Sequence, residues 1–550
     1  MYMKKVLLFA CCLMWMSAQA ADFETATEAV KNMGVGWNLG NTLDAVNGSK
    51  QGLESETCWG QPVTKPELMK MMKEAGFGAI RVPVTWYNHM DTNGKVDEAW
   101  MKRVHEVVDY VINQGLYCIV NVHHDTGDGT QWLHASMNTY NAAKAKYEYL
   151  WKQIAEEFKD YDQHLLFEAY NEMLDDKNSW NEPTDKTDGY KAINSYAKSF
   201  VTTVRNTGSN NAQRNLVINV YSASSSGNAM KELDLPEESG HIAFQIHNYP
   251  DWQNESHARE LVDNLISTIQ NNLSNRAPVI IGEYATLCVW PKREYYDDDR
   301  ALALYAMDYF IKKTKEAGIG TFYWMGLSDG VNRSLPAFHQ ADLAKTLIKA
   351  YHGSLDGFKF PTADDFQVEY IVKYEKDYSE AFLYGDWNSS AKKLSDYKSI
   401  RVEMDQSYGA KLQVKIYGDM NGKNADGTDK YKEQCTQLSS TSTTTTINFD
   451  ASTLGKSLYR ITLQTLSGVQ TVRVKKATLI KADGSEEPGA ISVGWGCAVS
   501  SESAPKTTGI QRVATNQQAE NDAIYNLSGQ RISKPQKGIY IQNGKKYIAK

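Results

Sequence analysis

Two glutamates are set apart by what precedes them. Glu172 ends the stretch His164 to Glu172, HLLFEAYNE, directly after the amide of Asn171, and Glu283 lies near the end of Pro278 to Tyr284, PVIIGEY. Both are apolar, β-forming runs that stop at a carboxylate. A strand buried on both faces of a parallel sheet reads this way, its polar end marking where it leaves the core. Two such strands, each delivering a carboxylate at its carboxyl end, point to a paired-carboxylate site on a barrel rim. Other apolar runs end on polar groups too: Arg81 in AIRVPVTW, His123 and His124 in VNVHHD, His247 and Tyr249 in QIHNY, and Trp324 in FYW. Any one of these reads equally well as a satisfied structural group. Together, so many polar groups at one end of a barrel are costly to bury unless they pair with each other or with a ligand.

Several chemistries compete for two rim carboxylates. A divalent metal is one, with His123-His124-Asp125 nearby, but no HExxH spacing occurs. Adjacent strand residues also point to opposite faces, so His123 and His124 are not expected to chelate together. No GxSxG elbow supports a serine nucleophile. Glycoside hydrolysis needs one protonated and one ionised carboxyl, kept apart by their surroundings. Arg81 beside one carboxylate would hold it ionised, and Asn171 would bond a sugar hydroxyl near the scissile bond. This route requires no metal or organic cofactor.

The elements that must position these groups follow a regular grammar. From residue 21 to 353, buried-strand patterns alternate with amphipathic helices. The strands are expected at Val35–Asn41, Ala79–Val84, Tyr117–Asp125, His164–Glu172, Leu216–Tyr221, His241–Tyr249, Pro278–Tyr284 and Gly320–Gly326. Eight strands predict a (β/α)8 barrel. An open doubly wound sheet is the alternative, but its first turn would carry GxGxxG, which is missing. Thr64-Lys65-Pro66-Glu67 reads as a capping box opening a helix that ends at Gly76. Asp97 opens another, closed by Gly115, and Asp299 to Gly318 repeats the arrangement.

Beyond residue 353 the pattern changes. Residues 365–500 show short alternating runs such as SIRVEM, KLQVKIY and VQTVRVK, which predict an all-β sandwich. A polar linker over 501–522 and a short β-rich C-terminal tail over 523–550 follow, with Asn543-Gly544 as a hairpin turn. Residues 1–20 have a basic start, an apolar stretch and a small-residue end, the form of a secretory signal peptide cleaved after Ala20. The apolar run is short for a membrane anchor, and no later stretch is long enough to span a bilayer. A formal net charge of -7 and no concentrated basic face argue against nucleic acid as a partner. Beyond the leader, Cys58, Cys118, Cys288, Cys435 and Cys497 fit neither a disulfide framework nor a zinc site, and most are expected as buried small hydrophobes.

The ordered set GWNLGNTLDA, RVPVTW, VNVHHD, YNE, HNY, GEY and YW resembles the family 5 glycoside hydrolases, in the clan of retaining (β/α)8 glycosidases, over about residues 22–352. The resemblance implies Glu172 as general acid/base and Glu283 as nucleophile. Arg81, His123, Asn171, His247, Tyr249 and Trp324 match the remaining family positions. Arg81 and Tyr249 would hold the nucleophile, and Trp324 would form the platform under the sugar at the cleavage point. His124, Asn41 and Asp44 carry over as further glycan contacts. GWNLGNTLDA and TCWGQPVTK look most like β-1,4-endoglucanases. Xylanase, xyloglucanase or mannanase activity stays open because the catalytic pair is common to all. Many relatives follow the last Trp with Asp-Asn-Gly, whereas here the sequence runs Met325-Gly326-Leu327-Ser328-Asp329-Gly330.

The implied protein is a secreted endo-β-1,4-glucanase acting on a β-linked polysaccharide. A non-catalytic glycan-binding surface protein on a decayed barrel and a metal-dependent hydrolase are the other readings. Trp59, Trp132 and Trp252 each read as a cleft platform or as packing. In the sandwich, which is either a carbohydrate-binding module or a spacer, Tyr384, Trp387, Tyr417 and Trp495 are candidate stacking residues. The tail, with YNLSGQRI and KGIYI, resembles the C-terminal sorting signals of Bacteroidetes-type bacteria and implies export to the medium or the cell surface.

Overall fold

The computed structural model describes residues 22–46, 48, 52–127, 132–286, 300–387, 389–425, 427–467 and 471–505, with short strands between 524 and 549. The leader over 1–20, Cys288 and most of the expected linker lie outside these residues. The strands β1 (Val35–Asn38), β2 (Ala79–Val82), β3 (Tyr117–Asn121), β4 (Leu165–Glu168), β5 (Leu216–Asn219), β6 (Ile242–Asn248), β7 (Val279–Tyr284) and β8 (Gly320–Tyr323) form a closed parallel barrel in chain order. Helices lie between most of them, among them Pro66–Ala75, Glu98–Ile112, Met137–Glu157, Lys186–Asn206, Glu255–Asn272 and Arg300–Glu316. All eight expected strands are present, most of them shorter at their carboxyl ends than the apolar runs suggested. The ladders stop where the strands diverge at the barrel mouth, so Asn171 and Glu172 lie beyond β4. They stay anchored there, because Ala169 N–H bonds Val217 O and Asn171 N–H bonds Val122 O, both at 2.9 Å.

Strand alternation sorts the side chains into two shells. Leu165 and Phe167 of β4 face the helices within the main core, while Leu166 points into the barrel. With Ile119, Val217, Ala243, Ile280 and Phe322 it forms an interior apolar layer. The helix Ala26–Met33 packs Ala26, Ala29, Val30 and Met33 against that layer. One step further along six of the eight strands the inward residue turns polar: Asn38, Arg81, Asn121, Glu168, Asn219 and Gln245, all fully buried. The active end of the barrel is built on this second layer.

Helix ends follow the sequence punctuation with one exception. Asp97 caps the helix Glu98–Ile112 by accepting from Ala99 and Trp100 N–H. The capping box expected at Thr64 does not form. The N-cap is Lys65, without a side-chain bond, because Thr64 serves a buried ion pair instead: its N–H bonds Glu56 Oε1 at 2.8 Å and its carbonyl accepts from Arg103 at 2.8 Å. Gly76 ends that helix at φ +100°, a left-handed conformation that favours glycine.

The C-terminal part is two packed sheets over one apolar core. The first contains β10 (Glu380–Tyr384), β13 (Leu412–Lys423), β14 (Asp429–Gln437), β17 (Arg460–Thr465) and β20 (Ser492–Trp495) in the order β14-β13-β17-β10-β20. The second contains β9 (Phe366–Tyr374), β12 (Tyr397–Met404), β15 (Thr444–Asn448), β18 (Thr471–Lys481) and β21 (Cys497–Pro505), with β19 (Glu486–Pro488) beside β18. A small pair, β11 (Lys392–Lys393) and β16 (Ser457–Leu458), completes it. Ala381, Val414 and Leu463 meet Val372, Val402 and Val474 in the shared core, the expected sandwich. Strand β21 runs to Pro505, into the stretch expected as linker.

Residues 505–550 form a separate unit. It holds a small antiparallel sheet of β22 (Ile524–Asn526), β23 (Arg531–Ile532), β24 (Gly538–Gln542) and β25 (Lys545–Ala549). Gln542 pairs with Lys545, the register of a two-residue hairpin, and Asn543-Gly544 lie outside the described residues. Among the described cysteines, all free, Cys118 and Cys497 are buried, Cys58 is half-buried and Cys435 is exposed, so burial holds for two of the four. No helix among the described residues is long and apolar enough to cross a membrane.

Candidate active site

Arg81 organises the site from the end of β2. A guanidinium has five N–H donors, and each has a partner here. Nε and Nη2 bond the two oxygens of Glu168 at 2.6 and 2.8 Å. The second Nη2 proton goes to Asn171 Oδ1 at 2.8 Å, and Nη1 bonds Asn38 Oδ1 at 2.9 Å and Glu283 Oε1 at 2.7 Å. Burial opposes the charge on Arg81, but Glu168 and Glu283 overcome that and hold it permanently protonated. Asn38 is fixed in turn by donating to the carbonyls of Gly282 and Phe322 at 2.9 and 3.2 Å, so the fork is held in one orientation.

Glu283 receives a second short bond, from the Tyr249 hydroxyl to Oε2 at 2.6 Å. Burial pushes its carboxyl above the usual range, with His247, Arg81 and Tyr249 pulling against that push and Glu172 adding to it. Tyr249 is itself driven well above the usual phenol range by burial of its hydroxyl and by Glu283, so it stays a donor. Glu168 is also buried, yet the Arg81 charge and bonds bring it below the usual carboxylate range. Glu172 lies against His247, with Oε1 2.8 Å from Nδ1. Burial lowers His247 to about 4, so its ring is neutral at ordinary pH.

The tautomer of His123 follows from its neighbours. Val84 N–H donates to Asn121 Oδ1 at 3.1 Å, which leaves Asn121 Nδ2 to donate to His123 Nδ1 at 3.0 Å and to Glu168 Oε1 at 3.2 Å. His123 therefore carries its proton on Nε2, which lies 4.0 Å from Glu283 Oε1. Burial, followed by the nearby His124 and Arg81 charges, keeps that ring well below its usual pKa. Its plane is stacked on Trp324 with centroids 5.7 Å apart and 6° between planes. Trp324 lies close over Gly40, where a Cβ would come within 2.8 Å of the indole.

The remaining expected contacts are placed less uniformly. Asp44 is fully buried and accepts from Asn41 and Thr42 N–H at 3.0 and 2.8 Å, locking a turn in which Asn41 has φ +60°. Burial raises Asp44 to about 6. Its carboxylate thus sits behind the turn, while His124, 3.8 Å from Asp44 Oδ2, is partly open to solvent. Trp59 is exposed and edge-on to His124 at 5.3 Å. Trp252 is buried, and Trp132 is tied to Asp125 by its indole N–H at 2.7 Å. The divergent loop after β8 is pinned across the barrel end, with Gly330 N–H bonded to Gln61 Oε1 at 3.0 Å and Arg333 bonded to Gly40 O at 2.8 Å.

One expectation about metals is corrected. His123 and His124 lie past the end of β3, so strand alternation does not separate them, and their rings are 4.5 Å apart. With Asp44 they form a group whose ligand atoms lie within 4.8 Å of one another, and Glu172, His247 and Glu283 form another. Either set has the donors to hold a cation.

Glu168, Asn121, Asn38 and Gln61 were not singled out from the sequence. For the first three a signal existed: each is the inward residue one strand step above the apolar layer. Gln61 gave none, since its partner is a loop distant in sequence.

The family described as Cellulase (glycosyl hydrolase family 5) matches residues 43–329, a little over half of the chain. Endoglucanase B of Neocallimastix patriciarum is 34% identical over 60% of this chain and 72% of its own length. Endoglucanase A of Ruminococcus albus is 37% identical over 50% of this chain and 78% of its own length. Among solved structures, a GH5-4 broad specificity endoglucanase from an uncultured bacterium is 53% identical with a TM-score of 0.59, covering 60% of this chain and 97% of that one. A family 5 enzyme of Prevotella bryantii B14, in complex with a xyloglucan tetradecasaccharide, is 42% identical with a TM-score of 0.56, covering 60% and 99%. The barrel, its rim carboxylates and these likenesses agree: the chain belongs to the cellulase family, glycosyl hydrolase family 5.

Proposed function

We propose that this chain is an endo-β-1,4-glucanase that cleaves its substrate with retention, through a glycosyl-enzyme intermediate on Glu283. The observation that carries the reading is the asymmetry of two adjacent carboxyls. One carboxylate oxygen of Glu172 lies within 4.8 Å of one of Glu283, a close approach in keeping with the roughly 5–5.5 Å between the carboxyl groups of a retaining pair. Glu283 has Arg81 and Tyr249 to stabilise negative charge, while Glu172 lies against the neutral ring of His247, so we assign the ionised form to Glu283 and the proton to Glu172.

Glu283 Oε attacks the anomeric carbon as Glu172 protonates the departing glycosidic oxygen. Glu172, now ionised, takes a proton from water, whose oxygen displaces Glu283 and restores both groups. Arg81 keeps Glu283 aimed, Asn171 Nδ2 and His123 Nε2–H face sugar hydroxyls, and Trp324 supports the ring at the cleavage point. His124 and Asn41 are the further contacts. The relative with bound xyloglucan supports a second substrate class, glucan backbones carrying branches. We further propose that residues 1–20 direct export, that the tail directs sorting to the medium or the cell surface, and that the sandwich binds glycan.

Reducing-sugar release from soluble β-glucan, xyloglucan, xylan and mannan, with NMR of the first-formed anomer, tests the activity. Glu283→Gln should lower kcat/KM by about 10⁴-fold or more. Retention of activity within about tenfold of wild type, or an inverted first product, would overturn the assignment.

A further inference from the structure

The outer face of the five-stranded sheet is unusual for a face with no apolar core on it. Residues directly opposite one another in an antiparallel ladder share a face. One row across the sheet is Trp495, Glu380, Gln464 and Gln413; the next holds Phe382, Thr462 and Lys415; a third holds Arg460 and Tyr417. Their neighbours Ala381, Leu383, Val414, Ile416, Ile461 and Leu463 point the other way, into the core. These outward residues are nonetheless covered: Glu380, Phe382, Thr462 and Gln464 are all buried, and Glu380 takes bonds from Tyr417, Thr462 and Gln464 at 2.6, 2.9 and 2.6 Å.

Over the Lys415, Tyr417 and Arg460 part of this face lies a groove of about 650 Å³ bordered by Trp387, Tyr417, Tyr431 and Arg460. The Arg460 guanidinium lies over all three rings, at 4.9, 4.2 and 4.6 Å, and Trp387 is also edge-on to Phe382 at 4.9 Å. Trp387 is thus clamped, yet 51% exposed, and Trp495 at the sheet edge is 49% exposed. The two flank positions 382 and 380, one strand step of about 7 Å apart. Arg460 itself is only 7% exposed, and its buried Nε has no hydrogen-bond partner among the described residues. A buried arginine donor without an acceptor, beside a rigid, open indole, is arranged for a ligand that supplies acceptors and a flat apolar face.

We propose that this groove is a second glycan site, which binds one β-1,4-glucan chain of the same polymer the barrel cleaves. Sugar hydroxyls donate and accept at once, and the groove offers both roles. Its charges are largely matched internally, as with Lys415 and Glu433 at 3.0 Å, which suits a neutral chain. Trp387 is the central platform, Trp495 an outer one further along the sheet, and Arg460 donates to hydroxyl oxygens beside Trp387. The inference rests on the proposed glucanase activity and on glycan binding by the sandwich, and it names the surface.

The test uses the full-length protein and its Trp387→Ala, Trp387→Phe and Trp387→Ala/Trp495→Ala variants. Hydrolysis of short cello-oligosaccharides reads the barrel alone, and adsorption to amorphous cellulose reads both sites. We expect unchanged oligosaccharide turnover in every variant. The partition constant on cellulose should fall about tenfold in Trp387→Ala, further in the double variant, and be largely kept in Trp387→Phe. Adsorption equal to wild type in the double variant would overturn this site while leaving the glucanase reading intact. Absence of oligosaccharide hydrolysis in the wild type would instead overturn that reading. Binding through this groove of a carboxylated glucan only, with none of cellulose, would overturn the neutral-chain assignment.

Discussion

Glu168 makes no direct contact with Glu283, yet replacing it should retune the nucleophile through Arg81. In Glu168→Gln the carboxamide keeps the shape but presents one NH2 to a guanidinium that has only donors, so one of the bonds at 2.6 and 2.8 Å is lost. The charge matters more. Two carboxylates sharing one guanidinium repel each other by about 2–3 kcal/mol at an effective dielectric of about 20. Removing Glu168 removes that repulsion from Glu283 and leaves Arg81 to act on Glu283 alone. Both changes favour ionised Glu283, so its pKa falls. The nucleophile must be ionised, so the acidic limb of the kcat/KM profile should move down by about 1.5–2 pH units. The rate at the optimum should fall as well. A less basic Glu283 is a weaker nucleophile, and loosening Arg81 also frees Asn171, so a loss of about 10–100-fold in kcat/KM is expected. The assay is the pH profile of kcat/KM on a soluble β-glucan for wild type and Glu168→Gln, with circular dichroism to confirm folding. An acidic limb that stays put or moves up in a folded variant would refute this coupling.

Three further outcomes follow from the same geometry. Gly40→Ala would place a Cβ 2.8 Å from the Trp324 indole and tilt the ring, a clash worth about 1–3 kcal/mol; KM on soluble glucan should rise about three- to tenfold and the melting temperature should fall by about a few degrees. Asp44 is raised to about 6 in the fold from about 3.8 in the unfolded chain. Between those values the folded state holds more protons and stability falls as pH rises, by up to about 3 kcal/mol; in Asp44→Asn that fall should vanish, so the variant's melting temperature relative to wild type should climb from pH 4 to 7. Exhaustive chelation should leave glucan hydrolysis within about twofold, whereas added zinc should inhibit by occupying Glu172, His247 and Glu283; activity lost on chelation and restored by a divalent cation would contradict the metal-free route.

How much of this was legible in the sequence depends on which residue faces which shell. The barrel was readable because every strand is a compact apolar run, and the rim groups Glu172, Glu283, Arg81, His123, His247, Tyr249 and Trp324 were readable because they end those runs. Where the runs were read too far, as with Tyr117 to Asp125, the error was physical. The ladder ends at Asn121, and the two histidines beyond it escape the alternation that was expected to separate them. The Thr64 capping box failed for a related reason: a tertiary partner, the Glu56–Arg103 pair, competed for Thr64 and prevailed over a local cap.

The less obvious part is the polar layer beneath the rim. VGWN, AIRV, YCIVN, LLFE, LVIN and IAFQ each carry one polar residue at the same step above an apolar neighbour, and the barrel register brings Asn38 beside Arg81 and Asn121 beside Glu168. A polar residue in one buried strand is an anomaly to be explained singly; at one level in six strands it is a design, because Asn38, Arg81, Asn121, Glu168 and Asn219 are joined in one hydrogen-bonded network, with Gln245 outside it. Arg81 was recognised for its reach toward a catalytic carboxylate, but its charge would be far costlier to bury without Glu168 on its other edge. The catalytic asymmetry at the rim therefore originates one layer down. Glu168 and Asn38 fix the guanidinium, and in the proposed mechanism the guanidinium favours Glu283 as the ionised partner and leaves the proton to Glu172.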